Sequence, residues 1–199
     1  MRTGAANGIP YKLVYKAEHP GPRPLIIGAY GALNIAWLPA YLFALPAAWV
    51  HLGGVYVQAH LRGGGEYGTD WWQAARRHTK QTTFGDLYTV ATDLINQGWT
   101  TSEQLGVLPT AVAATQRPQL FRACVAVMPV LDLLRCCKNQ ATMADIVATD
   151  LGTRRTRRTR RCCGPTRPTT RCATAPPTQR CCSTAARRTR VVQPGTAAR

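Results

Sequence analysis

GGVYVQAHLRGGGEYG, Gly53–Gly68, sets an apolar strand directly against a glycine-rich turn. Val55–Leu61 is a run of β-branched, aromatic and small residues of strand length, and the triple glycine Gly63–Gly65 closes it. The same unit recurs on both sides. Leu25–Ile27 begins an apolar strand that ends in the turn Gly28–Asn34, Leu105–Val107 forms a short strand, and Ala123–Val130 reads as a further buried strand. Helical patterns lie between them. Trp37–His51 is apolar at helical spacing and stops at Gly53–Gly54. Asp86–Gln97 places Leu87, Val90, Ala91, Leu94 and Ile95 on one face, with Gly98 as its cap. Ala111–Thr115 starts a helical segment that leads to Arg117–Pro118, and Tyr11–Lys16 alternates like a half-buried strand.

Strands that alternate with helices, and are apolar on both faces, predict a parallel α/β sheet. Sites in open sheets of this kind lie at the carboxyl ends of strands, which the turns Gly28–Asn34 and Arg62–Gly68 both occupy. Leu25–Val57 carries no charge and is long enough to span a bilayer. Its punctuation by Gly28, Gly31, Asn34, Pro39, Pro46, Gly53 and Gly54 instead fits a strand, a turn, a helix and a second strand, so no membrane association is expected.

Composition divides the chain at Gly152. All nine acidic residues and twelve of the 25 Lys and Arg precede it, so the net charge of +16 comes mainly from the arginines that follow. Thr153–Arg199 has no Phe, Trp, Tyr, Leu, Ile or Met, and its apolar content is alanine, five cysteines and the pair Val191–Val192. Such a segment cannot offset a backbone ordering cost of about 1–2 kcal/mol per residue and is expected to be disordered. The reading is therefore a globular part, residues 1–152, and a low-complexity basic tail, residues 153–199. The abrupt break, with its TRRTRRTRR repeat, has the character of a GC-rich coding region read out of frame.

Eight cysteines include the vicinal pairs Cys136–Cys137, Cys162–Cys163 and Cys181–Cys182, with no Cys-x-x-Cys and no histidine after His78. The usual zinc spacings are absent, and only the near-even run Cys163, Cys172, Cys181 leaves a metal reading open. No metal or cofactor is expected. Without a leader-like apolar segment in the first 24 residues, the expected setting is the reducing cytoplasm.

At Leu61–Gly68 the residues become specific. LRGGGEYG, followed by Trp71–Trp72, Lys80–Gln81, Phe84 and Asp86, resembles the prolyl oligopeptidase family of serine peptidases. GAYGALN at Gly28–Asn34, INQGWTTSEQLGV, TQRPQLF and VMPVLDLLR extend the resemblance over roughly residues 8–137. It implies an α/β-hydrolase domain, capped in the family by a β-propeller, with a Ser-Asp-His triad in that chain order and short proline-containing peptides as substrates. It also implies that Tyr30 matches the family tyrosine that donates to the oxyanion.

The chain departs from the family at the nucleophile. A glycine-rich elbow of the type Gly-Gly-Ser-Asn-Gly-Gly should link the strand Leu105–Val107 to the next helix, because a sharp turn of small residues exposes the hydroxyl. Here Val107 is followed by Leu108, Pro109 and Thr110, and Ser102 and Ser183, the chain's two serines, stand in no Gly-x-Ser-x-Gly frame. Thr110 is a poor substitute, being β-branched and next to proline. Past Gly152 there is no Asp, Glu or His, and His19, His51, His60 and His78 all precede the elbow position. No family propeller is expected before the first strands.

No catalytic residue is therefore assigned, and Tyr30 is the single oxyanion-hole candidate. Arg62 and Glu66 are expected to pair and hold the loop, Asp86 and Asp132 to be structural, and His51 and His60 to be helix-end or core residues. Loss of the last strands should leave an open sheet edge. The functional expectation is a serine-peptidase domain without activity of its own. The alternative is non-specific nucleic-acid or polyanion binding through the tail, which has six arginines in Arg154–Arg161.

Overall fold

A computed structural model describes residues 1–16, 21–38, 44–108, 111–126, 149–150 and 190–192. The chain opens with a hairpin of β1 (Arg2–Ala6) and β2 (Ile9–Val14), joined by Asn7 and Gly8 at φ 47° and 79°. Two consecutive positive φ angles match the right-handed twist of the flanking strands, which is why Asn-Gly favours this turn. β3 (Leu25–Ala29), β4 (Val55–Ala59), β5 (Leu105–Leu108) and β6 (Ala123–Val125) follow, separated by helices.

Among the described residues the sheet has seven strands in the order β1-β2-β4-β3-β5-β6-β7, where β7 is Arg190–Val192. The pairs β3–β4, β3–β5, β5–β6 and β6–β7 are parallel. β1–β2 and β2–β4 are antiparallel, so the sheet is mixed where a parallel one was expected. The difference comes from the hairpin, which the tight Asn7–Gly8 turn places on the β4 edge. The flanking helices and the parallel centre are those of an α/β-hydrolase type of sheet.

β4 is buried at all five positions, the property of a central strand covered on both faces. Leu13, Leu25, Ile27, Val55, Val57, Leu105 and Val107 join Leu87, Val90, Ala91 and Leu94 in one apolar cluster. The last four lie on α3 (Gln81–Asn96), on the face expected from their spacing, and Gly98 follows at φ 75°. The helix starts five residues before Asp86, because Gln81–Gly85 forms its first turns.

The helix expected over Trp37–His51 is described as α1 only from Ala44 to His51. Pro39 disfavours helical backbone at Leu38, and Pro46 sits in the first turn of α1, where its missing N–H costs nothing. α2 (Thr69–Gln73), a 3-10 turn at Arg77–Thr79 and α4 (Ala111–Gln116) complete the helices. No described helix is long and apolar enough to cross a membrane.

β7 lies within the arginine-rich tail, where composition suggested no ordered element. It pairs with the outer edge of β6 in the register Ala123↔Arg190, Cys124↔Val191 and Val125↔Val192. That covers the edge expected to be open. Val191 and Val192 are adjacent β-branched residues and the tail's two valines. Most of the tail, Val127–Val130 and Asp132 lie outside the described residues, as do the vicinal cysteine pairs.

Candidate functional site

Tyr30 immediately follows β3, at the carboxyl end of the central sheet, and is 41% exposed. The parallel pairing of β3 and β4 brings its turn against the glycine-rich loop after β4. The approach is close enough to require glycine on both sides. Gly31 has φ 61°, and a Cβ there would meet Thr83 Cγ2 at 2.6 Å and Leu61 Cβ at 2.9 Å. Gly63 has φ 102°, and a side chain on it would run into the Gly31 carbonyl. The Asn34 N–H donates to the Gly63 carbonyl at 3.4 Å, and the Thr83 hydroxyl donates to the Arg62 carbonyl at 2.8 Å.

Arg62 does not pair with Glu66 as expected. Its guanidinium donates to both Asp86 oxygens, Nε to Oδ2 at 2.9 Å and the terminal nitrogen to Oδ1 at 2.5 Å, and its backbone N–H donates to Oδ2 at 3.1 Å. The first turns of α3 carry the buried Asp86 under the loop, an acceptor that a nearest-charge reading of Arg62 misses. The ion pair holds the Arg62 guanidinium above its ordinary value. Glu66 Oε1 instead accepts from the Trp37 N–H at 3.1 Å.

A second ion pair, buried on both sides, was not visible in the sequence. Lys80 Nζ donates to Asp150 Oδ2 at 2.7 Å and to the Gly31 carbonyl at 2.6 Å. Asp150 Oδ1 accepts from Trp72 Nε1 at 2.9 Å and from the Leu33 N–H at 3.2 Å. Burial pushes the Lys80 ammonium down, against the Asp150 carboxylate, which favours its charge. The Tyr30 phenol is raised by burial and then by the same carboxylate. The turn that carries Tyr30 is thus locked from beneath by Lys80, Asp150 and Thr83.

The family's nucleophile position lies between β5 and α4. β5 ends at Leu108 and α4 begins at Ala111, so only Pro109 and Thr110 separate strand from helix. Both lie outside the described residues, and the reading of Thr110 falls there with them. Ser102 precedes β5 and is therefore at the opposite end of the parallel strands from Tyr30. It lines a groove of about 930 Å³ with Tyr88, Asp93 and Arg117. Ser183 and His19 lie outside the described residues.

The remaining histidines do not meet at Tyr30. His51 ends α1 and is exposed, its carbonyl accepting from Lys16 Nζ at 2.9 Å. His78 is exposed in the 3-10 turn. His60 is 6% exposed just past β4, as a core histidine should be, with burial holding its imidazole below the ordinary value. Among the described residues no three His, Cys, Asp or Glu could hold a metal ion. The buried Cys124 is free, and burial pushes its thiol up to about 12, away from reactive thiolate chemistry.

Comparison with known proteins agrees with this frame. An uncharacterized peptidase of Rickettsia prowazekii is 40% identical over 136 residues, covering 64% of this chain and 19% of that protein. A prolyl endopeptidase of Elizabethkingia meningoseptica is 33% identical over 154 residues, covering 73% of this chain and 21% of its own. The structure of a post-proline cleaving enzyme from Rickettsia typhi superposes with a TM-score of 0.77 at 31% identity, over 85% of this chain and 26% of that one. The chain therefore spans about a fifth of the length of the curated relatives it matches. Residues 41–178 match the profile of the prolyl oligopeptidase family, a stretch that runs past the composition break at Gly152. With the mixed sheet and the paired glycine loops, these matches make the chain a member of the prolyl oligopeptidase family.

Proposed function

We propose that this chain is a partial serine-peptidase domain that keeps the family's scaffold and oxyanion-side loop but hydrolyses no peptide with its own residues. The two-residue passage from β5 to α4, without serine, carries the reading. The family's acid and base should follow in chain order, and no Asp, Glu or His follows Gly152. We assign Tyr30 the role of the family tyrosine that donates to the oxyanion, on the resemblance of the turn Gly28–Asn34. A donor of that kind contributes about 10²–10³ in rate, but only to an intermediate that a nucleophile has formed.

The decisive experiment combines hydrolysis of a Gly-Pro amide with labelling by a fluorophosphonate serine probe. No turnover and no labelling are expected. Turnover above the uncatalysed rate, or labelling that maps to Thr110, overturns the reading.

The tail supports a second reading. Six arginines in Arg154–Arg161 suit phosphate contacts that weaken as salt rises, and the absence of tail aromatics leaves no stacking surface for sequence preference. A salt titration of the full chain against mixed-sequence RNA tests it, with sequence-independent and salt-sensitive binding expected. We assign the boundary at Gly152 and a cytoplasmic setting on composition and cysteine usage. Translation of the coding region beyond Gly152 in the other two frames tests the out-of-frame origin. A frame with an Asp and a downstream His in family-like context supports it, and the lack of such a frame in both removes it.

A further inference from the structure

The glycine-rich loop holds two buried polar groups that the frame described above does not use. His60, 6% exposed, has no hydrogen-bond partner on either ring nitrogen among the described residues. Glu66 has one oxygen, Oε2, buried and equally without a partner, while Oε1 accepts from the Trp37 N–H. A neutral imidazole offers one donor and one acceptor, so an imidazole that uses neither is unusual in a protein interior. The two orphans flank one loop. Its Tyr67 ring stands 6.2 Å from the His60 ring, and Tyr67 in turn packs on Trp71 at 5.0 Å.

We infer that His60 and Glu66 form an acid-sensitive latch that seats residues 35–38 beside the Tyr30 turn at neutral pH and releases them on acidification. At neutral pH the imidazole is uncharged, and Glu66 is free to hold Trp37. Gln58, from β4, holds the same residue by donating Nε2 to the Trp37 carbonyl at 2.9 Å. When the imidazole takes a proton from solvent, both nitrogens become donors in a buried site. The charges that face it are the Glu66 carboxylate from its own loop and the Lys12 ammonium from β2. Glu66 attracts the imidazolium and Lys12 repels it, so the carboxylate swings its unpartnered Oε2 toward His60 and in doing so draws Oε1 off the Trp37 N–H. Among the described residues Gln58 is then the side chain that still holds the segment, which already exposes Ile35 at 50% and Leu38 at 65%.

The direction of the pH effect follows from burial, the largest influence on His60, which holds its folded-state value below that of the unfolded chain. The latch is closed above the ordinary histidine value of 6.5 and opens as pH falls below it. The test is carried out on the full chain, in three forms, between about pH 7.5 and about pH 5. It follows His60 protonation by imidazole chemical shift and Trp37 by its amide-exchange protection factor. In the unsubstituted protein, protection of Trp37 should fall by about tenfold or more in step with His60 protonation. In His60→Gln and in Glu66→Gln, which keeps an acceptor for Trp37 but no charge to follow the imidazolium, the protection factor should stay flat. Constant protection in the unsubstituted chain overturns the latch, as does an equal loss in Glu66→Gln. The second comparison stands even if His60→Gln fails to fold.

Discussion

Lys80 Nζ lies 2.7 Å from Asp150 Oδ2, joining the start of α3 to a residue 70 positions later, and both side chains are buried. The same ammonium holds the Gly31 carbonyl and the same carboxylate holds the Leu33 N–H, so the pair ties the Tyr30 turn to a distant part of the chain. Removing one partner leaves a buried charge alone, which costs about 3–5 kcal/mol, more than the pair itself contributes. Asp150→Ala should destabilise the chain by that amount in urea unfolding. A Lys80→Met, Asp150→Leu double variant should lose much less than the two single losses together. Additive losses would mean that the two groups do not act as a pair.

The Arg62–Asp86 contact separates the observed loop from the one expected. Asp86 accepts three hydrogen bonds from Arg62, one of them from the backbone. Asp86→Ala should therefore cost at least about 2–3 kcal/mol, while Glu66→Gln should cost under about 1 kcal/mol because Trp37 keeps an acceptor. Thermal melts at neutral pH read both. Comparable losses at the two positions would restore Glu66 as the partner of Arg62.

The difference between these two pairs shows what a sequence can carry. Strand periodicity, the apolar face of α3 and the glycine turns are local patterns, and each reappears in the structure within a few residues. The β1–β2 hairpin was missed: Asn7–Gly8 is a hairpin turn signal that the sequence reading did not use, and Arg2–Ala6 has too few apolar residues to announce a strand. Arg62 was given to Glu66 because the two are near in sequence, but a rigid helix brought Asp86 closer. Asp150 carried no signal at all. Its role depends on where Lys80, Trp72 and Leu33 converge, and only the folded chain defines that point. Tyr30 was placed through the resemblance and not through any pattern of its own.

Two tyrosines should ionise late. Burial pushes the Tyr56 phenol up to about 12, and burial with the Asp93 hydrogen bond does the same for Tyr11. The Tyr11 hydroxyl donates to Asp93 Oδ2 at 2.7 Å, a contact that a phenolate beside a carboxylate would lose. The unfolded chain releases these protons near 10.0, so the stability they contribute is complete below that pH and is lost as pH rises toward about 12. Alkaline titration followed by near-ultraviolet absorbance should show a late step that coincides with loss of structure. Ionisation of all tyrosines in one early step would contradict the buried placement.

Restoring the missing elbow should not restore chemistry. Replacing Pro109–Thr110 with Gly-Gly-Ser-Asn-Gly-Gly would put a serine at the carboxyl end of β5, on the side of the sheet where Tyr30 follows β3. Among the described residues the nearest histidine by topology is His60, past the end of β4. Strand order places β3 between β4 and β5, so His60 is two strand spacings away, about 9–10 Å, and far beyond the ~3 Å a general base needs. Its burial also disfavours the imidazolium that accepting the serine proton would form. The elbow variant should therefore show no fluorophosphonate labelling and no Gly-Pro amide hydrolysis, even with a cooperative melt. Labelling of the new serine that disappears in a His60→Gln background would show that the loop moves far enough to supply a base, and the scaffold would then be a peptidase lacking only its nucleophile.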